Sequence, residues 1–179
     1  MGNVTSWMQT IGRVAFLNCD PVFYGLSNKW SVLNAPPAWL TGHLLKKDCI
    51  IAPIPAADYA NHHDKLLLLP GLGIASKGKV GSVLLFGNRE IEEMRDVALP
   101  TDSSTSRKLL MYLFKSKGID PRAVEMGPDL EKMLKRCDGA LLIGDRALSE
   151  ATKHPELVRF DLGLEWEKLT SMPMVFGVF

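Results

Sequence analysis

The sequence has 179 residues, of which 46% are apolar and 23% charged, with 21 basic against 20 acidic side chains. This near-neutral balance excludes a nucleic-acid-binding surface, which requires a stripe of Lys and Arg side chains, and no apolar run approaches the roughly 20 residues of a membrane span. A small anionic ligand is still compatible with the composition, because one carboxylate needs only a few local donors.

Short apolar runs alternate with segments of helical length along most of the chain, and this alternation predicts an α/β fold built on parallel strands. Strands are predicted at residues 13–17, 29–33, 49–52, 66–69, 83–86, 97–99, 123–126, 139–143, 157–160 and 173–179. Helices are predicted at residues 37–47, 54–59, 90–95, 104–117, 129–135, 146–152 and 164–169.

A glycine-rich segment, residues 71–82, interrupts this alternation. We interpret it as the crossing between two lobes, the first formed by residues 1–82 with 173–179 returning to it, and the second by residues 83–172. The last strand is apolar and needs a sheet to join, while most of the first lobe lies far behind it in the sequence. We therefore expect the chain to be incomplete at its C-terminus.

Three cysteines without a Cys-x-x-Cys pair are typical of a reducing compartment. The first ten residues carry no secretion-signal pattern, so we expect a cytoplasmic protein. His62 and His63 are adjacent, so their side chains diverge, and no further ligand follows at metal-binding spacing. We expect neither a metal nor a cofactor.

The junctions between strands and helices are the candidate ligand sites, since helix amino ends expose unpaired N–H groups there. Residues 101–106 (Thr-Asp-Ser-Ser-Thr-Ser) precede a strongly amphipathic segment. Helix capping accounts for one of these hydroxyls, not for five, and Ser104, Thr105 and Ser106 are therefore candidates for binding a carboxylate.

Four further residues at junctions are candidates, and Asn18 and Asp145 each have a structural alternative. Asn18 ends the first predicted strand and can donate to and accept from a ligand, although Asn there is also a common turn residue. Gly144 and Asp145 precede a predicted helix, which Asp145 could also cap. Ser82 lies at the expected hinge.

Five motifs in this order resemble the chorismate dehydratase family of the futalosine route to menaquinone. The motifs are residues 14–18 (Val-Ala-Phe-Leu-Asn), 78–86, 97–110, 140–148 (Ala-Leu-Leu-Ile-Gly-Asp-Arg-Ala-Leu) and 161–176. The resemblance implies a two-lobed fold of the type II periplasmic-binding-protein kind. It also implies a hydro-lyase that converts chorismate to 3-[(1-carboxyvinyl)oxy]benzoate and water.

By position, the resemblance makes Asn18 the catalytic residue. Ser82, the turn Ser104–Ser106 and the pair Gly144-Asp145 become substrate contacts, and the partner is the small carboxylate chorismate rather than a nucleic acid or a membrane. The chain departs from the family at residues 54–57, where Ile-Pro-Ala-Ala replaces a serine-rich turn. Three alternatives therefore stay open: a non-catalytic binding or sensor protein for a small carboxylate, the related 1,4-dihydroxy-6-naphthoate synthase, and a truncated chain without activity.

Overall fold

The computed structural model describes residues 6–26 and 29–179. The chain forms two compact units: the first extends to Ile74 and includes Val175–Phe179, and the second is Ala75–Met174. Among the described residues no helix has the length and apolar character needed to cross a membrane.

Ten strands and seven α-helices, with three short 3-10 turns, make up the described chain. The strands are β1 (Thr10–Arg13), β2 (Ser31–Asn34), β3 (Ile54–Pro55), β4 (Gly73–Ser76), β5 (Val83–Gly87), β6 (Asp96–Pro100), β7 (Arg122–Met126), β8 (Gly139–Ile143), β9 (Val158–Asp161) and β10 (Met174–Val178). The helices are α1 (Asp20–Phe23), α2 (Pro37–Leu45), α3 (Ala56–His62), α4 (Thr105–Ser116), α5 (Leu130–Leu134), α6 (Gly144–Lys153) and α7 (Leu162–Thr170).

The first unit contains two small sheets. Strands β1 and β2 pair in parallel, and a three-stranded sheet has the order β3-β10-β4, with β10 antiparallel to β3. Its core includes the buried side chains of Val14, Leu40, Ala52 and Ile54. Gly12 on β1 lies so close to this core that a Cβ there would stand 2.5 Å from the Ala52 Cβ and 2.9 Å from the Leu40 Cδ2.

The second unit contains a five-stranded sheet in the order β7-β6-β8-β5-β9. The two central strands β5 and β8 are buried along their whole length, which explains their continuous apolar sequences. Helix α4 buries Leu109, Leu110, Leu113 and Phe114, and the ring of Phe114 stacks on Phe160 of β9 with 6.2 Å between centroids.

Most sequence-based elements of the second unit are confirmed with small shifts of their ends, and the predicted strand at residues 139–143 coincides with β8. The predicted helix at residues 90–95 is wrong, because only the 3-10 turn Ile91–Glu93 forms there. Residues 75–82 cluster with this unit. Whether the two compact units act as the expected lobes stays a prediction.

Three predicted strands of the first unit are wrong. The strand predicted at residues 13–17 ends at Arg13, because its partner β2 runs into Pro36 and Pro37, which have no N–H to extend the ladder. Residues 49–52 form only a bridge from Ile51 to Ile11. Residues 66–69 form no strand, although the Leu69 N–H donates to the Phe179 carbonyl. The prediction failed because a uniform leucine run carries no periodicity that distinguishes a strand.

We predict that Gly12→Ala destabilises the protein by about 1–3 kcal/mol, because the added methyl group overlaps Ala52 and Leu40 in a packed core. Gly42→Ala is the matched control, since a Cβ at this position of α2 meets nothing within 4 Å. Alanine there stabilises a helix by roughly 0.5–1 kcal/mol. Urea unfolding measures both, and equal effects of the two substitutions would contradict the packing described for Gly12.

A second prediction concerns acid stability. The backbone N–H of Asp138 and then the Arg122 guanidinium lower the pKa of Asp96, at the amino end of β6. A lowered folded-state pKa adds stability above the unfolded value of about 4, and this stability is lost as pH falls through the lower folded value. Asp96→Asn should therefore show a shallower loss of unfolding free energy between about pH 5 and about pH 3 than the parent, and an identical slope would refute the assignment.

Candidate functional site

One edge of the second unit's sheet collects the sequence-predicted residues of that unit. Strands β6 and β8 are parallel, and β5 is antiparallel to both β8 and β9. The carboxyl ends of β6, β8 and β9 therefore lie at the same edge as the amino end of β5; we call it the carboxyl edge. It carries Ser82 before β5, Ser104, Thr105 and Ser106 after β6, and Gly144 and Asp145 after β8.

The hydroxyl turn leads into the amino end of α4. The helix begins at Thr105, and Ser104 occupies the N-cap position without a side-chain capping bond. The Ser103 hydroxyl oxygen instead accepts weakly from the Ser106 N–H at 3.4 Å. Thr105 and Ser106 are buried, so this turn is a packed part of the edge and not a solvated loop.

Ser82 and Gly144 are joined directly. The Gly144 N–H donates to the Ser82 carbonyl at 2.7 Å, and Gly144 has a φ of 63°, a left-handed conformation that glycine adopts at little cost. The amide of Gly144 is thus used within the protein, and it fixes the start of α6 beside the segment that enters β5. Asp145, in the first turn of α6, is half-buried.

Asp161 fixes the same segment from the other side. Its Oδ1 accepts from the N–H groups of Val80 at 3.0 Å, Gly163 at 3.0 Å and Leu164 at 3.1 Å, and its Oδ2 accepts from Gly81 at 2.8 Å. Four backbone amides thus surround one buried carboxylate, which both caps α7 and holds the chain just before Ser82.

An ion pair links the two junctions of the edge. Arg146 Nη1 donates to Asp102 Oδ2 at 2.6 Å, which ties the hydroxyl turn to the start of α6. Asp102 is only 6% exposed, and its Oδ1 is buried without a hydrogen-bond partner among the described residues.

Asn18 lies in the first unit, in the 3-10 turn Leu17–Cys19, where it is exposed while Cys19 is buried, because β1 ends at Arg13 and not at Asn18 as expected. Arg13 packs against the helix that follows this turn: its Nη2 donates to Asp20 Oδ1 at 2.6 Å, and its guanidinium carbon lies 5.5 Å from the centre of the Phe23 ring. Both contacts restrain the turn that carries Asn18.

Sequence reasoning missed Asp102, Arg146 and Asp161. Asp102 stands within the hydroxyl turn and Arg146 directly after Asp145, so their junction positions were a usable signal. Asp161 follows a predicted strand and precedes a predicted helix, a typical N-cap position. Its contact with residues 80 and 81 spans about eighty positions, so the local sequence pattern could not predict it.

A concavity lies at the opposite edge of the same sheet. This open cavity of about 300 Å³ is lined by Asn88, Glu131, Lys135, His154 and neighbouring side chains. Within residues 6–26 and 29–179, no group of three or more His, Cys, Asp or Glu side chains is placed to hold a metal ion.

Comparison with known proteins supplies a family. Residues 9–179 match the model of a menaquinone biosynthesis family. The sequence is 35% identical to chorismate dehydratase of Thermus thermophilus over 94% of this chain and 68% of the relative. The chain thus spans about two thirds of that relative's length.

Solved structures agree on the fold. A protein of Archaeoglobus fulgidus aligns with a TM-score of 0.72 at 20% identity, covering 94% of this chain and 66% of its own. The periplasmic aliphatic sulphonate binding protein SsuA of Escherichia coli aligns with a TM-score of 0.61 at 15% identity, covering 96% and 61%. The expected α/β fold of the periplasmic-binding-protein kind is therefore confirmed.

We predict that Asp161→Ala costs roughly 2–4 kcal/mol of unfolding free energy, because it leaves buried amides without an acceptor. It should also speed hydrogen exchange at Val80 and Gly81. Asp129→Ala is the matched control, since Asp129 caps α5 through one amide at the surface, and its loss should cost clearly less unfolding free energy than the loss of Asp161. Unchanged exchange at Val80 and Gly81 in Asp161→Ala would contradict the hydrogen bonds that these two amides donate to Asp161.

Proposed function

Because the chain belongs to the chorismate dehydratase family of menaquinone biosynthesis, we propose that it is a hydro-lyase that converts chorismate to 3-[(1-carboxyvinyl)oxy]benzoate and water. The observation that carries the proposal is the 35% identity to a chorismate dehydratase over nearly the whole chain. The clustering of candidate substrate contacts at one sheet edge supports it.

The reaction is an elimination that needs no oxidant. The ring carbon bearing the enolpyruvyl ether loses a proton, and the neighbouring carbon loses its hydroxyl group as hydroxide. The electron pair of the broken C–H bond becomes a ring double bond as the C–O bond breaks, and proton and hydroxide leave together as water. The product ring is aromatic, which supplies much of the driving force, so binding and orientation can provide most of the catalysis.

Each candidate residue has a proposed role. The turn Ser104–Ser106 at the start of α4 binds a carboxylate of the substrate, where hydroxyls and helix N–H groups favour an anion. Ser82 and the pair Gly144-Asp145 complete this binding edge. Asn18 is the catalytic residue: it orients the enolpyruvyl carboxylate, which takes the proton itself. The reaction takes place in the cytoplasm, where we expect the protein.

The direct test is incubation of the purified chain with chorismate, followed by chromatography with mass detection. We expect an aromatic product lighter than chorismate by one water, formed well above a protein-free control. Chorismate that binds in calorimetry without turnover would contradict the dehydratase and favour the binding-protein alternative. Absence of both binding and turnover would refute chorismate as the ligand.

We predict that Asn18→Ala lowers kcat by about 10²–10³-fold with a smaller change in KM, as expected when one orienting polar contact is removed. Steady-state kinetics with chorismate measure this. Asn88→Ala is the control and should keep parental kinetics. Asn88 is exposed and directly follows the carboxyl end of β5, at the edge of the sheet opposite the candidate site. Full turnover of Asn18→Ala would remove Asn18 from the mechanism.

A further inference from the structure

The carboxyl edge holds a charged pair that the proposed function has not used. Arg146 Nη1 lies 2.6 Å from Asp102 Oδ2, and the two side chains differ sharply in burial, with 48% of the Arg146 side chain exposed against 9% of Asp102. The carboxylate is thus inside the protein, while about half of the arginine side chain is open to solvent.

Stability does not explain this pair. Arg146 is in the first turn of α6, where the helix dipole disfavours a cation, and its side chain is half exposed, so solvent weakens its attraction to Asp102. Burying Asp102 is costly, because its Oδ1 has no hydrogen-bond partner among the described residues. The pair therefore adds little net stability, which favours a role in binding.

The geometry leaves Arg146 ready to bind an anion. A guanidinium has five N–H donors in a plane, and among the described residues this group donates one hydrogen bond, to Asp102. Asp102 holds the guanidinium from the buried side, and it belongs to the turn that leads into the amino end of α4. A planar fork beside a helix amino end suits a carboxylate, which such a fork binds through two parallel hydrogen bonds.

We infer that Arg146 binds one carboxylate of the substrate and that Asp102 is the positioning residue that orients its guanidinium. The inference deepens the proposed function and rests on it, because chorismate carries two carboxylates. It adds to the hydroxyl turn charge-assisted N–H donors, which bind a carboxylate more strongly than neutral donors do.

The experiment compares the parent with Arg146→Gln, Arg146→Lys and Asp102→Asn in chorismate kinetics and calorimetry. We expect Arg146→Gln to raise KM and Kd for chorismate by about 10–100-fold, the effect of losing a charge-assisted contact. Arg146→Lys should recover part of this loss, because lysine restores the positive charge but not the planar pair of N–H donors. Asp102→Asn should raise KM by a smaller factor, with kcat changed less than KM in all three variants.

A ligand pair separates direct contact from a structural effect. Inhibition constants are measured for 3-hydroxybenzoate and for its neutral analogue 3-hydroxybenzamide. The parent should prefer the benzoate, and Arg146→Gln should lose most of that preference, which a merely structural role would leave in place. Arg122→Gln is the matched control, since Arg122 pairs with Asp96 at 2.9 Å at the opposite edge of the same sheet and should keep the parental preference.

The outcomes are distinguishable. If the parent neither binds nor converts chorismate, the proposed function fails and this inference with it. If the parent is active while Arg146→Gln keeps the parental Kd and the parental benzoate preference, the inference alone is overturned. Should Arg146→Gln fail to fold, the same measurements are made with Arg146→Lys. Parental kinetics and a parental preference for the benzoate in that variant would refute a bidentate contact.

Discussion

Four backbone amides around the carboxylate of Asp161 set the geometry of the second unit. Two of them start α7, and the other two belong to the segment that leads into β5. A single charged group thereby fixes where the chain enters its central strand. The close approach is tight: a Cβ at Gly163 would lie 2.7 Å from the Gly78 carbonyl oxygen, so the packing depends on glycine at this position as well.

The hydrogen bonds to Asp161 also position the rest of the candidate site. The held segment places the Ser82 carbonyl where Gly144 donates to it, and this bond fixes the first turn of α6. That turn carries Arg146, which reaches Asp102 in the junction after β6. Each step satisfies a polar group, and the result is that three loops, distant in sequence, are held at one sheet edge. Preorganised donors of this kind can bind a carboxylate without further ordering cost.

Local pattern predicted those parts of the chain whose structure is decided locally. Strand β8 has five buried residues, four of them with apolar side chains, and α4 has apolar side chains at helical spacing, so both were predicted closely. The strand after Arg13 was wrong because its length is decided by Pro36 on a partner some twenty positions away. The hydroxyl turn was found because five hydroxyls exceed what capping needs, whereas the Asp102–Arg146 and Asp161 contacts form only when the sheet brings distant junctions together.

The central claim is that chorismate binds at the carboxyl edge of the second unit. Backbone amide shifts in an NMR titration with chorismate test it most directly, because each junction reports separately. We expect saturable shifts at residues 82, 104–106 and 144–146, with little change at the opposite edge. Shifts confined to the cavity near Asn88 and His154, with the hydroxyl turn unaffected, would contradict it.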